Sequence, residues 1–240
     1  MRPALLLGLA AIALLGGCDR REEDFYADNL LKMEQPAAGA AGAADERIAE
    51  LRGEIRKYRA EVERKVEAAQ QLGIYHKMLA VAYMRREMYQ AAYESLKEAV
   101  AYHSNNSVIF CYLGICAAQI SKSQAGPDKA LWLDRAEAHY RRAIELDGDN
   151  VEALYGLAVF YTFELGKLGE AEQLTRRVLA LRARHEEGFF LLANILYRQG
   201  RLAEAAELYG RIAASSQVEA SRTEALANKS RIEKEMRGAP

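Results

Sequence analysis

The sequence predicts an all-α solenoid of antiparallel helix pairs, and three observations predict it. Apolar residues recur at steps of three and four through most of the chain, the period of a helix with one buried face. Only four prolines stand among 240 residues, of which 50% are hydrophobic, so helices meet few interruptions and there is material for a sizeable core. Above all, a short pattern of a large residue, a leucine and a small residue returns four times at near-constant spacing, the mark of stacked repeats.

The first elements lie outside that fold. Arg2 followed by the apolar run Ala4 to Leu15 has the layout of an export signal, and the run is too short to cross a membrane as a stable helix. It ends in Leu15-Gly16-Gly17-Cys18, which resembles the lipobox of bacterial lipoproteins. The resemblance implies a signal peptide at 1–17, diacylglyceryl transfer to the Cys18 thiol, cleavage before it, and acylation of the freed amine. Several acyl chains hold a protein on a bilayer where one binds only marginally. The alternative is a soluble exported protein whose signal merely ends near a cysteine. Residues 18–44 read as lipid anchor and flexible linker: a charged cluster, Asp19 to Asp24, then Pro36 to Ala44 with nothing larger than a methyl group to bury. A short helix fits at Phe25 to Met33.

Residues 45–72 read as a long N-terminal helix with Asp45 as its N-cap. Ile48, Leu51, Ile55, Tyr58 and Val62 form a heptad stripe, and Arg59 with Glu63 and Glu61 with Lys65 pair at helical spacing. One reading is a helix that packs on the first repeat and covers its end. The other is a coiled-coil homo-oligomer, against which Lys65 counts by interrupting the stripe after little more than two heptads.

From Gly73 the chain repeats itself. First helices read His76-x2-Leu79-Ala80-x2-Tyr83, Phe110-x2-Leu113-Gly114-x2-Ala117, Leu154-x2-Leu157-Ala158-x2-Tyr161 and Phe189-x2-Leu192-Ala193-x2-Leu196. Second helices read Ala92-x3-Leu96-x2-Ala99, Ala136-x3-Tyr140-x2-Ala143, Ala171-x3-Thr175-x2-Val178 and Ala205-x3-Tyr209-x2-Ile212. These resemble the tetratricopeptide repeat (TPR), whose period is 34 residues; the four leucines lie 34, 44 and 35 apart. The resemblance implies a right-handed α-solenoid of four repeats at 73–106, 107–150, 151–185 and 186–219. Repeat two carries ten extra residues between its helices, within Ser121 to Asp134, and repeat three carries one at the same place. Pro127 suits the first turn of an elongated second helix, and Trp132 is expected to pack on a neighbouring helix. Ser104, Gly148, Ala183 and Gln217 replace the proline usual near the repeat end, while Gly148 and Gly200 can act as C-caps. Residues 220–240 read as a C-terminal capping helix and tail, which shields the last repeat's stacking face.

No phosphate-binding loop, HExxH, paired CxxC or GxSxG occurs, and the four histidines, at 76, 103, 139 and 185, stand without ligand spacing. The expectation is a protein without catalytic, metal or cofactor chemistry. A net charge of -1, with both signs mixed, argues against nucleic acid as partner. Cys111 and Cys116 point about 140° apart on a helix and read as small core residues.

What remains is a surface for binding protein. The TPR resemblance places the concave groove at Lys77, Val81, Met84 and Arg85, then Cys111, Ile115, Ala118 and Gln119, then Tyr155, Val159, Thr162 and Phe163, then Phe190, Asn194, Tyr197 and Arg198. Val81 stands where a carboxylate-clamping domain needs asparagine, so a chaperone tail is disfavoured. An apolar, aromatic groove suits an extended or helical peptide, and its large rings concentrate in repeats three and four. The expected function is a membrane-tethered scaffold or adaptor in a bacterial envelope complex, similar in layout to TPR lipoproteins of pilus and outer-membrane protein assembly. It would face the periplasm or cell exterior, on the inner or the outer membrane. The alternative is a ligand-binding accessory lipoprotein of a transporter, whose groove closes on a small apolar ligand. Replacing Cys18 by alanine should release the chain from membranes without disturbing its helical fold; pelleting of the variant after a high-salt wash would refute the lipid anchor.

Overall fold

A computed structural model describes residues 41–238; Cys18, the export signal and Phe25 to Met33 lie outside the described residues. Within them every regular element is helical: α1 (Ala41–Met84), α2 (Tyr89–Tyr102), α3 (Ser107–Ser121), α4 (Gly126–Leu146), α5 (Val151–Phe160), a π turn (Tyr161–Leu165), α6 (Leu168–Leu181), α7 (Glu186–Arg198), α8 (Leu202–Ser215) and α9 (Glu219–Gly238). The chain divides into two units between Glu63 and Arg64.

The first unit contains, among the described residues, only the leading part of α1. That helix starts at Ala41, so Asp45 lies inside it rather than capping it, and it continues without a break through the expected boundary at 72/73 to Met84. The stripe expected to be covered is open instead: Ile48, Ile55, Tyr58 and Val62 are all exposed.

The second unit is a solenoid of stacked helix pairs. Its repeats pair α3 with α4, α5 with α6, and α7 with α8, and α9 packs on α8; the end of α1 meets α2 where His76 stacks on Tyr102, ring centres 6.4 Å apart. The repeated leucines explain the stack. Leu113, Leu157 and Leu192 are buried at 1%, 3% and 6% exposure, whereas Leu79 is 44% exposed because no repeat precedes it in this unit. The small residues after the leucines, Ala80, Ala158 and Ala193, have no exposed surface, as close helix approach requires.

Tyr140 of α4 is the central wedge. Its ring lies between α3 and α5, so tightly that a Cβ on Gly114 would come within 2.8 Å of it and a Cβ on Gly156 within 2.7 Å. The phenol is 4% exposed and burial pushes its pKa far up. Around it, one continuous core runs from Ala80 to Ile195; a second joins α7, α8 and α9 through residues such as Leu196, Tyr209 and Ile232.

Helix starts are capped two residues beyond the missing prolines. Asn106 accepts from the Ile109 N–H at 3.2 Å, Asn150 from the Ala153 N–H at 2.9 Å, and His185 Nδ1 from the Gly188 N–H at 2.9 Å. Each satisfies a donor the helix leaves unpaired. Asn150 also donates to Ser107 Oγ at 2.6 Å, tying the start of repeat three to the start of repeat two. Gly200 ends α7 in the left-handed region at φ 77. Gly148 does not: Asp147 is the C-cap of α4 in an extended conformation, and the Gly148 carbonyl accepts from Arg177.

The extra residues are absorbed as helix. In repeat two they lengthen α4 to 21 residues, with Pro127 in its first turn, and Trp132 packs edge-on to Tyr93 of α2 at 5.0 Å with the Arg135 guanidinium 4.6 Å over its ring. In repeat three the single extra residue becomes the π turn, closed by Gly166 at φ 66. Its wider i→i+5 turn accommodates one residue more than an α turn.

Two carboxylates at equivalent places, each following the signature alanine of a second helix (Ala136 and Ala171), join consecutive repeats. Glu137 accepts from the Tyr161 hydroxyl at 2.8 Å and from Lys167 Nζ at 2.8 Å; Glu172 accepts from Gln199 at 3.1 Å and Arg201 at 2.9 Å. Burial alone would raise both carboxyls. Hydrogen bonds from Lys167, Tyr161 and Arg141 to the one, and from Arg176, Gln199 and Arg201 to the other, outweigh it and hold both below the usual 4.5.

Two outcomes follow from this packing. Gly156→Ala gains about 1 kcal/mol of helix propensity but overpacks Tyr140 at a cost of about 1–3 kcal/mol. Thermal unfolding should therefore show it destabilising in the native background and stabilising in a Tyr140→Ala background, where no ring is met. A carboxyl whose folded pKa is depressed contributes stability above its unfolded pKa and loses it as pH falls through the folded value. Glu137→Gln with Glu172→Gln should thus cost about 1–2 kcal/mol each at pH 7, and denaturant melts should show the gap to the native chain closing below about pH 4.

Candidate peptide-binding groove

The groove is built where α5, α7 and α9 lie side by side. Asn150 and His185 fix where α5 and α7 begin, which sets which residues face it. Tyr155, Val159 and Phe163 come from α5 and its π turn; Phe190, Leu191 and Asn194 come from α7, and Tyr209 of α8 forms the floor. They surround a hollow of about 560 Å³, within the range of ligand-binding clefts. The fourth wall is α9, which contributes Ser221, Glu224, Asn228 and Arg231. Beyond capping the last repeat, α9 thus forms part of the groove. Its buried Ala225 and Ile232 stand seven residues apart, and that spacing was the available sign that the opposite face is presented elsewhere.

Each ring has a distinct setting. Phe190 meets Tyr209 at 6.0 Å, edge to face. Phe163, carried on the π turn, is 49% exposed with the Arg198 guanidinium 4.8 Å above it. Arg198 in turn donates to the Thr162 carbonyl at 3.0 Å, so it braces α5 against α7. Tyr197 does not line the hollow: its hydroxyl donates to Glu235 at 3.1 Å and Arg231 lies 5.6 Å over its ring. Tyr155 is half-buried beside His185, ring centres 5.0 Å apart, and burial raises its phenol. It also borders a second hollow of about 740 Å³ at the α6–α7 turn, with Arg182, Arg184 and Glu187.

The polar groups of the groove are uneven. Glu186, Glu187 and Glu224 stand against Arg231, giving a rim with an excess of negative charge. The hydroxyls of Ser221 and Ser216 lower the Glu186 carboxyl. Asn194 Oδ1 is buried and has no hydrogen-bond partner among the described residues. An unpaired acceptor of this kind costs about 1–3 kcal/mol.

Other residues placed in the groove from sequence lie apart from this hollow. Lys77, Arg85 and Gln119 belong to repeats one and two and do not border it, nor do the half-buried Val81, Met84 and Ile115. Three of the sixteen positions are interior: Cys111 at 1%, Ala118 at 9% and Thr162 at 0% exposure. Thr162 spends its hydroxyl on the Ala158 carbonyl at 2.7 Å. Cys111 and Cys116 are free, and burial pushes both thiols up to about 12, so neither is a thiolate near neutrality.

A tetratricopeptide repeat family model matches residues 139–173, the stretch from the Tyr140 wedge through α5 into α6. The solenoid is similar to a thermophilic TPR protein of Thermus thermophilus, TTC0263, at TM-score 0.59 and 19% identity, over 76% of this chain and 95% of that one. It is also similar to the pilF protein of Pseudomonas aeruginosa, at TM-score 0.57 and 16% identity, over 71% of each chain. These likenesses agree with the helix pairing above in defining a TPR solenoid. Among curated proteins none matches the chain in sequence.

Proposed function

We propose that the chain is a lipid-anchored adaptor of a bacterial envelope complex, which holds a peptide segment of a partner protein in the groove of repeats three and four. The observation that carries the reading is the hollow between α5, α7 and α9, with aromatic walls and an unpaired amide oxygen. Tyr155, Phe163 and Phe190 offer faces to an apolar side chain, and rings of this kind dominate binding energies. Asn194, whose Oδ1 is buried and unpaired, can accept a peptide N–H once its amide turns toward the hollow. Glu186, Glu187 and Glu224 favour a basic residue beside that anchor. The anchor itself rests on Leu15-Gly16-Gly17-Cys18; no helix among the described residues is long and apolar enough to cross a membrane.

A transporter accessory that closes on a small ligand needs an enclosed chamber. Here Phe163, Glu187, Glu224 and Arg231 on the rim are exposed, and the hollow opens as a groove for a chain does.

A photo-crosslinking amino acid at Glu224 should give a discrete protein adduct in the native membrane, and the same label at Lys97 on α2 should give none. Phe190→Ala with Asn194→Ala should reduce the adduct strongly, since truncating one such hot spot costs on the order of 2 kcal/mol, roughly thirtyfold in affinity. An adduct unchanged in a variant with a native melting temperature would rule the groove out.

A further inference from the structure

We propose that two copies of the chain associate through a parallel coiled coil along Ile48, Leu51, Ile55, Tyr58 and Val62 of α1. Of the nineteen exposed large apolar side chains among the described residues, ten lie on α1, so this helix carries much of the chain's uncovered apolar surface. In the first unit the leading part of α1, 41–63, has no second described element against which to bury its stripe. An amphipathic helix owes its stability in water mainly to packing of its apolar face. With Ile48, Ile55, Tyr58 and Val62 between 45% and 58% exposed, that packing must come from another surface.

The residue types identify that surface as a second copy. The steps of three and four define positions a (Ile48, Ile55, Val62) and d (Leu51, Tyr58) of a heptad, a period that supercoils two helices around each other. All three a positions are β-branched, which in parallel coiled coils favours two strands. In that register Glu54, at g, meets Arg59 of the second copy at e, an attractive pair formed twice by symmetry. On its own helix Glu54 pairs with Lys57 at 3.4 Å. Arg47 would approach Arg52 of the second copy, but Glu50 already holds Arg47 at 2.7 Å. Gly53 falls at f, pointing away from the seam, and an added Cβ there meets nothing closer than 3.9 Å. Lys65, at the next d position, limits the seam to its first heptads.

The test is disulfide capture in the full-length chain in its native membrane. Ile48→Cys and Val62→Cys, introduced separately, should each give a disulfide-linked dimer on mild oxidation, because only a parallel in-register pair brings both residues against their own copies. The buried Cys111 and Cys116 are unreactive, and the parent chain without a new cysteine controls for Cys18. Gly53→Cys should give little product. Purified full-length chain in detergent should sediment as a dimer, and Ile55→Asp should raise its dissociation constant at least about tenfold and suppress both captures. Absence of capture at both positions, or equal capture at Gly53, overturns the proposal. So does a monomeric mass, whether the stripe is then covered by residues 25–33 folding back or by a different protein.

Discussion

The solenoid turns on the seat of one ring. Tyr140 projects from the second helix of repeat two into the seam between two successive first helices, and it fits because Gly114 and Gly156 leave out the only atoms that would collide with it. Protein interiors are packed too closely to absorb even a methyl group at such a contact. The separation and tilt of α3 and α5 are therefore set by the thickness of an aromatic ring. Everything downstream inherits that geometry, because each repeat in a stack is positioned only by its neighbours.

The candidate groove shows the inheritance. Asn150 starts α5 and is tied back to Ser107, so Tyr155 and Val159 face the hollow at a rotation fixed relative to repeat two. Glu172 then joins the repeats on either side of the groove, and Arg198, which does not line the hollow, ties α7 to the π turn beside it. The aromatic walls stand on braced helices, which limits the ordering a bound segment would impose. The junction between repeats one and two is of another kind: Tyr93 hydrogen-bonds His139 at 2.9 Å and meets Trp132. Burial lowers the His139 pKa, keeping that contact between uncharged groups near neutrality.

Much of the fold was legible because stacking repeats demand the same residue at the same place. Leucines at 79, 113, 157 and 192 and alanines at 92, 136, 171 and 205 answer a requirement imposed several times over. What was not legible depends on contacts made once. Leu79 carries the signature yet is exposed, since burial requires a preceding neighbour. The heptad stripe of α1 likewise shows an apolar face without showing what covers it. The TPR resemblance put Tyr155, Phe163, Phe190 and Asn194 in the groove, but whether a side chain looks outward depends on helix rotation by tens of degrees. That is why Cys111, Ala118 and Thr162 proved interior. The contribution of α9 was hidden because its residues match no repeat pattern, though it occupies the place of a fifth first helix.

The π turn has a consequence for how such a surface can change. Adding one residue to an α-helix rotates everything after it by about 100°, which in a stacked repeat would turn the following apolar face away from its neighbour. Widening one turn confines the disturbance: α6 keeps Ala171, Thr175 and Val178 inside, while the residues within the turn are re-aimed and Phe163 stands half out of the surface. The chain thus separates two kinds of heritable variation. Length changes at the hairpin tips, as in α4 and in this turn, can remodel what is displayed without renegotiating how the repeats stack.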